Sequence, residues 1–495
     1  MIVKLIDSQL RTLQRKNWMT MNKVLVVGGG GREHAIVDAL SRSTQVGKIY
    51  CAPGNAGIAE QAECVPLKDT DVEGLLQFAQ ENGVDLTVVG PEAALAAGIV
   101  DRFRAAGLAI FGHTQAATAI ESSKDFAKRL MAGAGVPTAA YRTFTDFDEA
   151  LAYVKAGSFP TVIKYDGLAA GKGVVVAPTL AEAEAALRDM LLDGRYGEGK
   201  VVIEEFLTGP EFSLMAFVSG RQVCPMVAAQ DHKRAFDGDA GPNTGGMGAY
   251  TESFATGKSG LSFITDEDYD FAVSHILQPV ADAMADAGTP LSGVLYGGLM
   301  KTPSGIKVIE FNARFGDPET EVVLPRLESD IYDVFEAVAM NGNGSATACG
   351  RNTADGCTVP SQELCDETDC QTLPALHWRD ESVMGVVMAS KGYPGSYAKG
   401  APIVIAPDFA SAVMPCVDPS VMPGLTRHLM SERIYHMGTK RADDGSLVTG
   451  GGRVLMVIAA APTTSEASRR VYAGVEKISC DNLFYRHDIA KFVLS

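Results

Sequence analysis

The stretch at residues 307–320, K-V-I-E-F-N-A-R-F-G-D-P-E-T, places a cluster of polar side chains directly after an apolar strand pattern. Side chains of an extended strand alternate between its two faces, so Glu310, Asn312 and Arg314 point to the same face. Two hard oxygen ligands followed by a guanidinium suit a magnesium ion that carries a phosphate. A solvated polar strand end would contain the same residues, so the motif needs support from the rest of the chain.

Length and composition limit the class of protein. The chain has 495 residues, 46% of them hydrophobic and 21% charged, which predicts a globular protein of three or four packed units. A formal net charge of −17 argues against nucleic acid or an anionic membrane as the main partner. No apolar run approaches the length of a membrane span. We therefore expect a cytoplasmic protein with small-molecule partners, as a monomer or a homodimer.

The nine cysteines include no C-x-x-C pair, which fits reduced thiols rather than a disulfide framework. Four of them cluster at positions 349, 357, 365 and 370, but without the paired spacing of a structural zinc site.

Residues 1–20 precede the first strand pattern. They carry four basic residues and little acid, but no apolar signal core. We expect an extension outside the fold, either disordered or the product of an upstream start site, rather than a targeting segment.

Residues 21–121 alternate between strand and helix patterns, which predicts a doubly wound parallel sheet with ligand loops at the carboxyl ends of its strands. The glycine run at 28–31 opens a helix and is suited to holding a phosphate. The G-x-G-x-x-G pattern of a dinucleotide site fails, because its third position falls on Glu33 or His34. No acid ends the second strand either, so a monophosphate ligand fits better than a dinucleotide.

A second glycine-rich stretch, D-G-L-A-A-G-K-G at 166–173, lies between two strand patterns. It is not a Walker loop, because three residues separate Gly167 from Gly171, Gly173 replaces Ser or Thr, and a strand follows. A glycine turn between antiparallel strands is suited to covering the phosphates of a nucleotide. A plain hairpin explains the glycines, but not the flanking lysines 164 and 172.

Further along, the acidic strand edge E-E-F-L at 204–207 offers backbone groups to an adenine and precedes the carboxylate of Glu211. In this order, the motifs resemble the ATP-grasp superfamily of carboxylate–amine ligases. In finer detail they resemble the glycinamide ribonucleotide synthetase family of purine biosynthesis.

The resemblance covers nearly all of residues 21–340 and resumes over 383–495. The matching blocks are G-G-R-E-H-A at 30–35, P-G-N-A-G at 53–57, G-P-E at 90–92, D-G-L-A-A-G-K-G at 166–173, E-E-F-L at 204–207, Q-D-H-K-R at 230–234, G-P-N-T-G-G-M-G-A-Y at 241–250, R-F-G-D-P-E at 314–319, G-V-V-M-A-S-K-G-Y-P-G at 385–395, H-M-G-T-K at 436–440 and G-G-R-V at 451–454.

The resemblance implies an α/β fold with three parts. These are an amino-terminal doubly wound parallel sheet, a central ATP-grasp domain with a two-lobed ATP site, and a small α+β C-terminal domain. We place them at residues 21–121, 122–343 (with a lid at about 142–206) and 381–495. Residues 344–380 would form a surface insertion, and a second long stretch at 407–432 interrupts the last domain similarly.

Members of this family join the carboxylate of glycine to the amine of 5-phosphoribosylamine. They use ATP with Mg²⁺ or Mn²⁺ and pass through glycyl phosphate to glycinamide ribonucleotide, ADP and phosphate. Charge develops on the transferring phosphoryl group, so metal and cations must already be in place.

The resemblance also implies a role for individual residues. The metal ligands would be Glu310 and Asn312. The residues that orient glycine and its acyl phosphate would be Arg314, Asp317, Lys233 and Asp231. The ATP-binding residues would be Lys124, Lys164, Gly171, Lys172, Gly173, Glu204, Glu205, Leu207 and Glu211. The phosphoribosylamine side would comprise Gly30, Gly31, Arg32, Glu33, Asn55, Glu92, Asn243, Thr244 and Gly245. His34 and His232 lack an evident orienting partner in the sequence, and we expect both to be structural.

Two positions depart from the family pattern. Tyr165 stands where the family commonly has a small residue, which bears on how the glycine flap packs on ATP. Glu321 replaces the usual Gln after D-P-E-T, and we expect its carboxylate either to disturb the metal site or to face water.

Two other functions are weighed against the ligase. A biotin-dependent carboxylase subunit or a formate-using transformylase would need a second metal carboxylate on the strand before E-x-N, where this chain has G-L-M at 298–300. A non-catalytic nucleotide sensor would be expected to lose Glu310 or Arg314, and both are present. The ligase interpretation is favoured.

Overall fold

The computed structural model describes residues 21–167, 173–193, 197, 199–343, 351–352, 358–359, 372–413 and 432–494. Predictions for the amino-terminal extension, for Gly171 and Lys172, for the four clustered cysteines and for most of 407–432 fall outside these residues. The domain boundaries themselves also stay predictions.

The amino-terminal part is a five-stranded parallel sheet, as predicted. Its strands lie in the order third, second, first, fourth, fifth. The order reverses between the first and fourth strands, whose carboxyl ends carry the loops at 28–31 and 90–92. Doubly wound sheets bind ligands at such a reversal. The strands are Asn22–Gly28, Val46–Pro53, Glu63–Cys64, Leu86–Val89 and Ile110–Phe111, and the helices are Gly31–Leu40, Ile58–Glu60 (3₁₀), Val72–Asn82, Glu92–Ala96 and Ile99–Ala105.

Local sequence sets many of the helix ends. Ser and Thr hydroxyls or Asp carboxylates accept a backbone N–H at several helix starts, which satisfies donors that the helix itself leaves free. These caps are Asp71, Ser123, Asp146, Thr179, Thr265 and Thr463. Gly83 and Gly135 end two helices in the left-handed conformation, with φ of 59° and 69°.

The central part begins with a small lobe built on a four-stranded antiparallel sheet. Its strands lie in the order Tyr141–Phe144, Val201–Glu205, Thr161–Tyr165 and Val174–Ala177, with the helices Phe147–Ala156 and Leu180–Leu191. Thr161–Tyr165 pairs antiparallel with Val174–Ala177, which confirms the predicted hairpin around the glycine-rich stretch.

The large lobe is a second four-stranded antiparallel sheet, in the order Gln222–Pro225, Glu211–Gly220, Leu291–Thr302 and Gly305–Asn312. The accompanying helices are Ala119–Ser122, Lys124–Ala134, Phe254–Thr256 (3₁₀), Asp266–Ala272, Val273–Leu277 (π), Gln278–Asp286, Thr320–Val323, Leu324–Arg326 (3₁₀) and Ile331–Asn343. Two short ribbons pair Arg234–Phe236 with Ala240–Asn243 and Arg351–Asn352 with Thr358–Val359.

The carboxyl-terminal sheet draws strands from two separate parts of the chain. Its order is Gln230–Asp231, Gly248–Thr251, Ser382–Ser390, Arg453–Ala461 and Glu432–His436, and Leu483–Phe484 also pairs with Ser382–Ser390. The first two strands lie within the predicted central domain. Residues 232–247, which connect them, are therefore held against the carboxyl-terminal sheet.

Short elements complete this part. Thr439–Arg441 pairs with Leu447–Thr449, and Val404–Ile405 pairs with Ile478–Ser479. The helices are Pro407–Val413, Thr464–Val475 and Lys491–Leu494. Within the described ranges, no helix is long and apolar enough to cross a membrane.

Candidate active site

A cavity of about 620 Å³ lies where the small lobe, the large lobe and the carboxyl-terminal sheet meet. Most of the predicted site residues line it. Those on its walls are Arg32, Glu92, Lys124, Lys164, Gly173, Glu204, Glu205, Leu207, Glu211, Asp231, Lys233, Asn243, Thr244, Gly245, Glu310, Asn312, Arg314 and Asp317. Gly30, Gly31, Glu33 and Asn55 are not among the lining residues.

A β-bulge sets the strand that carries Glu310 and Asn312. Gly298 pairs with Glu310 while Leu299 pairs with Val308, so Ile309 is the extra residue. The carbonyl of Ile309 accepts a hydrogen bond from Lys164 Nζ at 2.9 Å. Beyond the bulge, alternation resumes and both Glu310 and Asn312 reach the cavity, as the spacing predicted.

Glu310 is an anion in a cationic setting. Burial alone would raise the pKa of its carboxyl, but the charges of Lys233, Lys164, Lys124 and Arg314 outweigh burial and lower it. Within the described residues, the Glu310 carboxylate has no ion-pair partner within 4.0 Å and accepts no hydrogen bond. One free carboxylate beside one amide oxygen is a donor set that fits Mg²⁺, which keeps water and phosphate ligands in such sites. In the same residues, no group of three or more His, Cys, Asp or Glu could hold a metal by itself.

A buried carboxylate holds two lysines at the cavity. Glu204 Oε1 lies 3.0 Å from Lys164 Nζ, and Glu204 Oε2 lies 2.9 Å from Lys128 Nζ. Lys128 also donates to Thr138 Oγ1 at 2.7 Å. Burial lowers the pKa of Lys128 to about 8, although Glu204 opposes this. Lys128 was not among the predicted site residues, although it lies one helical turn after Lys124.

The start of the helix Lys124–Ala134 is tied to the glycine-rich stretch. The Ser123 hydroxyl accepts from Phe126 N at 3.1 Å and donates to Asp166 Oδ2 at 3.3 Å. Lys124 Nζ donates to the carbonyl of Gly167 at 3.1 Å. Burial lowers the pKa of Lys124, with Glu310 opposing.

Glu204 and Glu205, on the acidic strand edge, both line the cavity. Glu205 accepts hydrogen bonds from Lys307 Nζ at 2.9 Å and from Ala140 N at 3.2 Å. Leu207 lies just beyond the strand, and its backbone N–H and C=O make no hydrogen bond to another described backbone group. One donor and one acceptor in this arrangement can hydrogen-bond to the acceptor and donor atoms at the edge of an adenine ring.

Arg314 is held by two carboxylates. Its guanidinium lies 3.3 Å from Glu121 and 3.5 Å from Glu92. It also donates to the carbonyl of Phe315 at 3.1 Å, and Arg32 donates to the same carbonyl at 3.1 Å. Two guanidiniums therefore lie side by side at the cavity wall. Glu121 was not among the predicted site residues, because it belongs to no local motif.

Lys233 bridges two acids that line the cavity. Its ammonium lies 3.4 Å from Glu211 Oε2. The charge of Asp231 raises the pKa of Lys233 well above its ordinary value, so Lys233 stays protonated. Burial raises the pKa of Asp231 to about 7, with Lys233 opposing.

Arg453, from the carboxyl-terminal sheet, lines the cavity beside Asp317 and Gly245. Its Nη1 lies 3.0 Å from Asp317 Oδ1 and donates to the carbonyls of Asp317 at 2.8 Å and Gly245 at 2.7 Å. The Gly245 N–H donates to the Tyr393 hydroxyl at 3.0 Å. Arg453 and Tyr393 lie in the sequence blocks that carry the family resemblance, but neither was among the predicted site residues.

The amino-terminal loops use their polar groups internally. Gly30 N donates to Glu33 Oε2 at 2.6 Å, and Glu33 Oε1 pairs with Arg32 at 2.6 Å. The Asn55 amide donates to the carbonyls of Gly29 and His436 and accepts from residues 57 and 58. The hydrogen-bonding groups of the Asn55 side chain are therefore all used within the protein, where they stabilise the loop.

The structure also places the two departures from the family pattern. The ring of Tyr165 packs in the small-lobe core against Gly167 and Gly199, where it leaves no room for a Cβ. Glu321 has no exposed surface, so the expectation that it faces water is wrong. It lies between Gly31 and the Asp317–Arg453 pair rather than at Glu310.

His34 and His232 are buried and do not line the cavity. His34 Nδ1 accepts from His436 N at 2.8 Å, and His232 Nε2 accepts from Ala490 N at 3.3 Å. Burial lowers the pKa of each to about 4, which favours neutral, structural rings.

Comparisons with known proteins agree with this geometry. The chain matches the phosphoribosylglycinamide synthetase models for the N domain over residues 22–121, the ATP-grasp (A) domain over 122–320 and the C domain over 383–492. It is 48% identical over 468 residues to phosphoribosylamine–glycine ligase of Halalkalibacterium halodurans, covering 94% of this chain and 96% of that protein. It is 43% identical over 473 residues to the Escherichia coli O6:H1 protein of the same name, covering 94% and 97%.

Solved structures give the same picture. The crystal structure of phosphoribosylamine–glycine ligase from Thermotoga maritima aligns with a TM-score of 0.73 at 28% identity, over 94% of this chain and 100% of that one. The biotin carboxylase domain of Hydrogenobacter thermophilus 2-oxoglutarate carboxylase aligns with a TM-score of 0.62 at 15% identity, over 94% and 92%, which is a likeness of fold alone.

The two-lobed fold and its cationic cavity define an ATP-grasp enzyme. Within that class, the chain belongs to the phosphoribosylglycinamide synthetase family, which confirms the resemblance seen in the sequence.

Proposed function

We propose that this chain joins glycine to 5-phosphoribosylamine at the expense of ATP, through glycyl phosphate, in purine biosynthesis. The observation that carries the proposal is the convergence of Lys124, Lys164, Lys233 and Arg314 on the unpaired carboxylate of Glu310. Several cations held around one free anion stabilise a negatively charged ligand such as the phosphates of a nucleotide, whereas a neutral metabolite would gain nothing from them.

ATP would lie between the two lobes. Lys124 and Lys164 would contact its phosphates, with residues 171–173 as the cover over them. The backbone of Glu205 and Leu207 would face the adenine, and Glu211 the ribose. Val162, Val176, Met131 and Met300 line the same cavity and offer apolar surface to the base.

Glu310 and Asn312 would hold Mg²⁺ or Mn²⁺. When bound, the ion would neutralise phosphate charge that the lysines alone cannot offset. These two residues fit that ion because the Glu310 carboxylate is ionised and has no ion-pair or hydrogen-bond partner among the described residues.

The chemistry requires two displacements. A glycine carboxylate oxygen attacks the γ-phosphorus, the bond to the bridging oxygen breaks, and ADP leaves. The amine nitrogen of phosphoribosylamine then attacks the carbonyl of glycyl phosphate, and phosphate leaves as the nitrogen loses a proton. Arg314, Lys233 and Asp317 would orient the acyl phosphate, so positioning and charge supply most of the rate.

Phosphoribosylamine would enter from the side formed by Arg32, Glu92 and residues 243–245. On that side, Arg453 donates hydrogen bonds to the carbonyls of Asp317 and Gly245. Through these contacts, the carboxyl-terminal sheet would help to form the phosphoribosylamine site. Gly30, Gly31 and Glu33 would contribute by setting the loop behind Arg32.

The test is phosphate release from ATP and Mg²⁺ with glycine and freshly generated phosphoribosylamine, together and singly. The proposal expects phosphate and ADP in equal amounts only when both substrates are present. Turnover with another carboxylate but not with glycine would keep the ATP-grasp chemistry and overturn the substrate. No ATP turnover with any acid would overturn the proposal altogether.

A further inference from the structure

Among the described residues, the buried carboxyl of Glu321 has no hydrogen-bond or ion-pair partner. It lies in the short helix Thr320–Val323 with no exposed surface. Neither of its oxygens makes a hydrogen bond within the described part of the chain. Oε1 lies against the Cα of Gly31, at the start of the helix Gly31–Leu40, where a side chain of any size would collide with it.

Charges around Glu321 come from two sides. Asp317 and Glu319 belong to the same segment, and Arg453 comes from the strand Arg453–Ala461. The faces contributed by Gly31 and by Met437, which packs on Gly31, are uncharged. Glu319 is already engaged, because its Oε1 accepts from Ser213 and Tyr296.

The positive charge of the Arg453 guanidinium therefore acts on two carboxyl groups, those of Asp317 and Glu321. Arg453 Nη1 lies 3.0 Å from Asp317 Oδ1 and also donates to the carbonyls of Asp317 and Gly245. A second anion in a buried site, where its oxygens accept no hydrogen bond from another described residue, is strongly disfavoured. Holding a proton removes that penalty.

We propose that Glu321 is a positioning residue that carries a proton in the working enzyme, and that its neutral state leaves Arg453 free to hold Asp317 and Gly245 together. Burial and Asp317 raise the pKa of Glu321 well above its ordinary value of 4.5, with Arg453 opposing. When the proton leaves, Glu321 competes with Asp317 for Arg453 and loosens the Gly245 loop. Its effect on turnover rests on the proposed function, but its protonation state does not.

Infrared difference spectroscopy tests the protonation state without any substrate. The spectrum of wild type minus Glu321→Gln, recorded at pH 7, is expected to contain the carbonyl band of one neutral carboxylic acid. The matched control is Glu252→Gln, since Glu252 is also a buried glutamate, but its oxygens interact with Ser262 N and Thr464 Oγ1. A carboxylate band in the Glu321 difference would overturn the proposal. Glu321→Met replaces the Gln variant if the amide disrupts folding.

The pH profile tests the positioning role. At pH values above the native pKa of Glu321, wild-type kcat/KM for phosphoribosylamine is expected to fall by about tenfold per pH unit. Glu321→Gln, which cannot ionise, is expected to match wild type within about threefold at pH 7 and to lack that alkaline limb. Identical profiles for the two proteins would overturn the positioning role. A protein that turns over no substrate at all would instead overturn the proposed function, and the infrared result would still decide the state of Glu321.

Stability supplies a third, substrate-free measurement. Because the native pKa of Glu321 is raised, the native state holds a proton that the unfolded chain loses above pH 4.5. Wild-type stability relative to Glu321→Gln is therefore expected to fall as pH rises from 4.5, and to level off above the native pKa. A stability difference that does not change with pH would overturn the proposal.

Discussion

Glu310 is the anion on which the cations of the cavity converge, and its charge can be removed with little change of shape. Glu310→Gln keeps the size of the side chain but loses the negative ligand for Mg²⁺. We expect kcat/KM for ATP to fall by about 10²- to 10³-fold. The Mg²⁺ concentration that gives half-maximal rate should rise as well. Steady-state rates across a Mg²⁺ titration measure both effects.

The control for this variant is Glu73→Gln. Glu73 is an exposed glutamate that pairs with Arg102 on the amino-terminal part and does not line the cavity. Its rates and Mg²⁺ dependence should equal those of wild type. Full ATP-dependent turnover in Glu310→Gln would contradict the assignment of Glu310 as a metal ligand.

Glu204 is the buried counter-charge of Lys128 and Lys164, which lie 2.9 and 3.0 Å from its oxygens. Glu204→Gln leaves two buried lysines without an anion, so we expect the free energy of unfolding to fall by roughly 3–5 kcal/mol, the usual result of breaking a buried pair. Urea unfolding at pH 7 measures this difference.

Glu204→Gln combined with Lys128→Met provides the internal comparison. The double variant removes one of the two unpaired charges and should recover part of the stability, because the two changes act on one contact. Strictly additive losses would contradict the view that Glu204 acts mainly by balancing these lysines.

Several site residues were predictable because their signal is local. The two-residue spacing of Glu310 and Asn312 on one strand predicted that they share a face, and both line the cavity, as does Arg314 just beyond the strand. Lys128 had a local signal, its i,i+4 spacing from Lys124, that was overlooked. Glu121 and Arg453 had none, because their partners Arg314 and Asp317 are far away in the sequence and only the folded chain brings them together.

Ser123, the N-cap residue of the helix Lys124–Ala134, contributes both to stability and to the packing of the glycine-rich stretch. The Ser123 hydroxyl caps the helix and also donates to Asp166, at the root of the glycine-rich stretch. Ser123→Ala should lower the free energy of unfolding by about 0.5–2 kcal/mol, as for other lost caps. It should also raise KM for ATP severalfold, because the root of the flap loses an anchor.

Thr463→Ala is the matched control, since Thr463 caps the helix Thr464–Val475 and does not line the cavity. Unfolding should report a similar loss of stability, while KM for ATP stays at its wild-type value. An equal rise in KM in both variants would show that general loosening, and not the anchor at Asp166, is responsible.

The hydrophobic pattern of the sequence predicted most of the helices and strands, but not the breaks and bulges within them. Gly98 adopts a positive φ of 80° and separates the helices Glu92–Ala96 and Ile99–Ala105, an interruption that the predicted alternation of strands and helices did not indicate. The bulge at Ile309 was equally invisible, because an extra residue in one strand is defined only by its pairing with the other.

Long-range assembly was the least predictable feature. The sequence indicated three parts in succession, and the parallel sheet and the hairpin of the small lobe were found as predicted. No sequence pattern indicated that Gln230–Asp231 and Gly248–Thr251 leave the central part to join the carboxyl-terminal sheet. Pairing between distant strands depends on burial of whole sheet faces, which a local pattern does not encode.

The amino-terminal helix Gly31–Leu40 and the strand Glu432–His436 are joined by a buried charge cluster centred on Asp38. Asp38 Oδ2 accepts from Arg433, from Arg42 at 3.0 Å and from the Tyr435 hydroxyl at 3.3 Å. Burial alone would raise the pKa of Asp38, but Arg433 and Arg42 lower it below its ordinary value of 3.8. The cluster thereby holds the wall that carries Arg32 against the sheet that carries Arg453.

Asp38→Asn should lower the free energy of unfolding at pH 7 by up to about 3 kcal/mol, the lower end of the range for breaking a buried pair, because two partly buried guanidiniums lose their anion. The native pKa is depressed, so this stabilisation is present above pH 3.8 and is lost as pH falls through the native pKa. The gap between the two proteins should therefore shrink in acid. Denaturant unfolding over a pH series measures it, with Asp408→Asn as the exposed control expected to match wild type.

The same variant separates the two halves of the cavity. Asp38 lies away from the lobes that form the ATP side, so KM for ATP should stay close to the wild-type value. In the proposed function, Arg32 and residues 243–245 form the phosphoribosylamine side, so a change in how they are held relative to one another should raise the KM for phosphoribosylamine. Equal increases in both KM values would mean that the loss of Asp38 loosens the whole molecule, whereas no change in either would mean that the Asp38 cluster stabilises the fold without setting the substrate side.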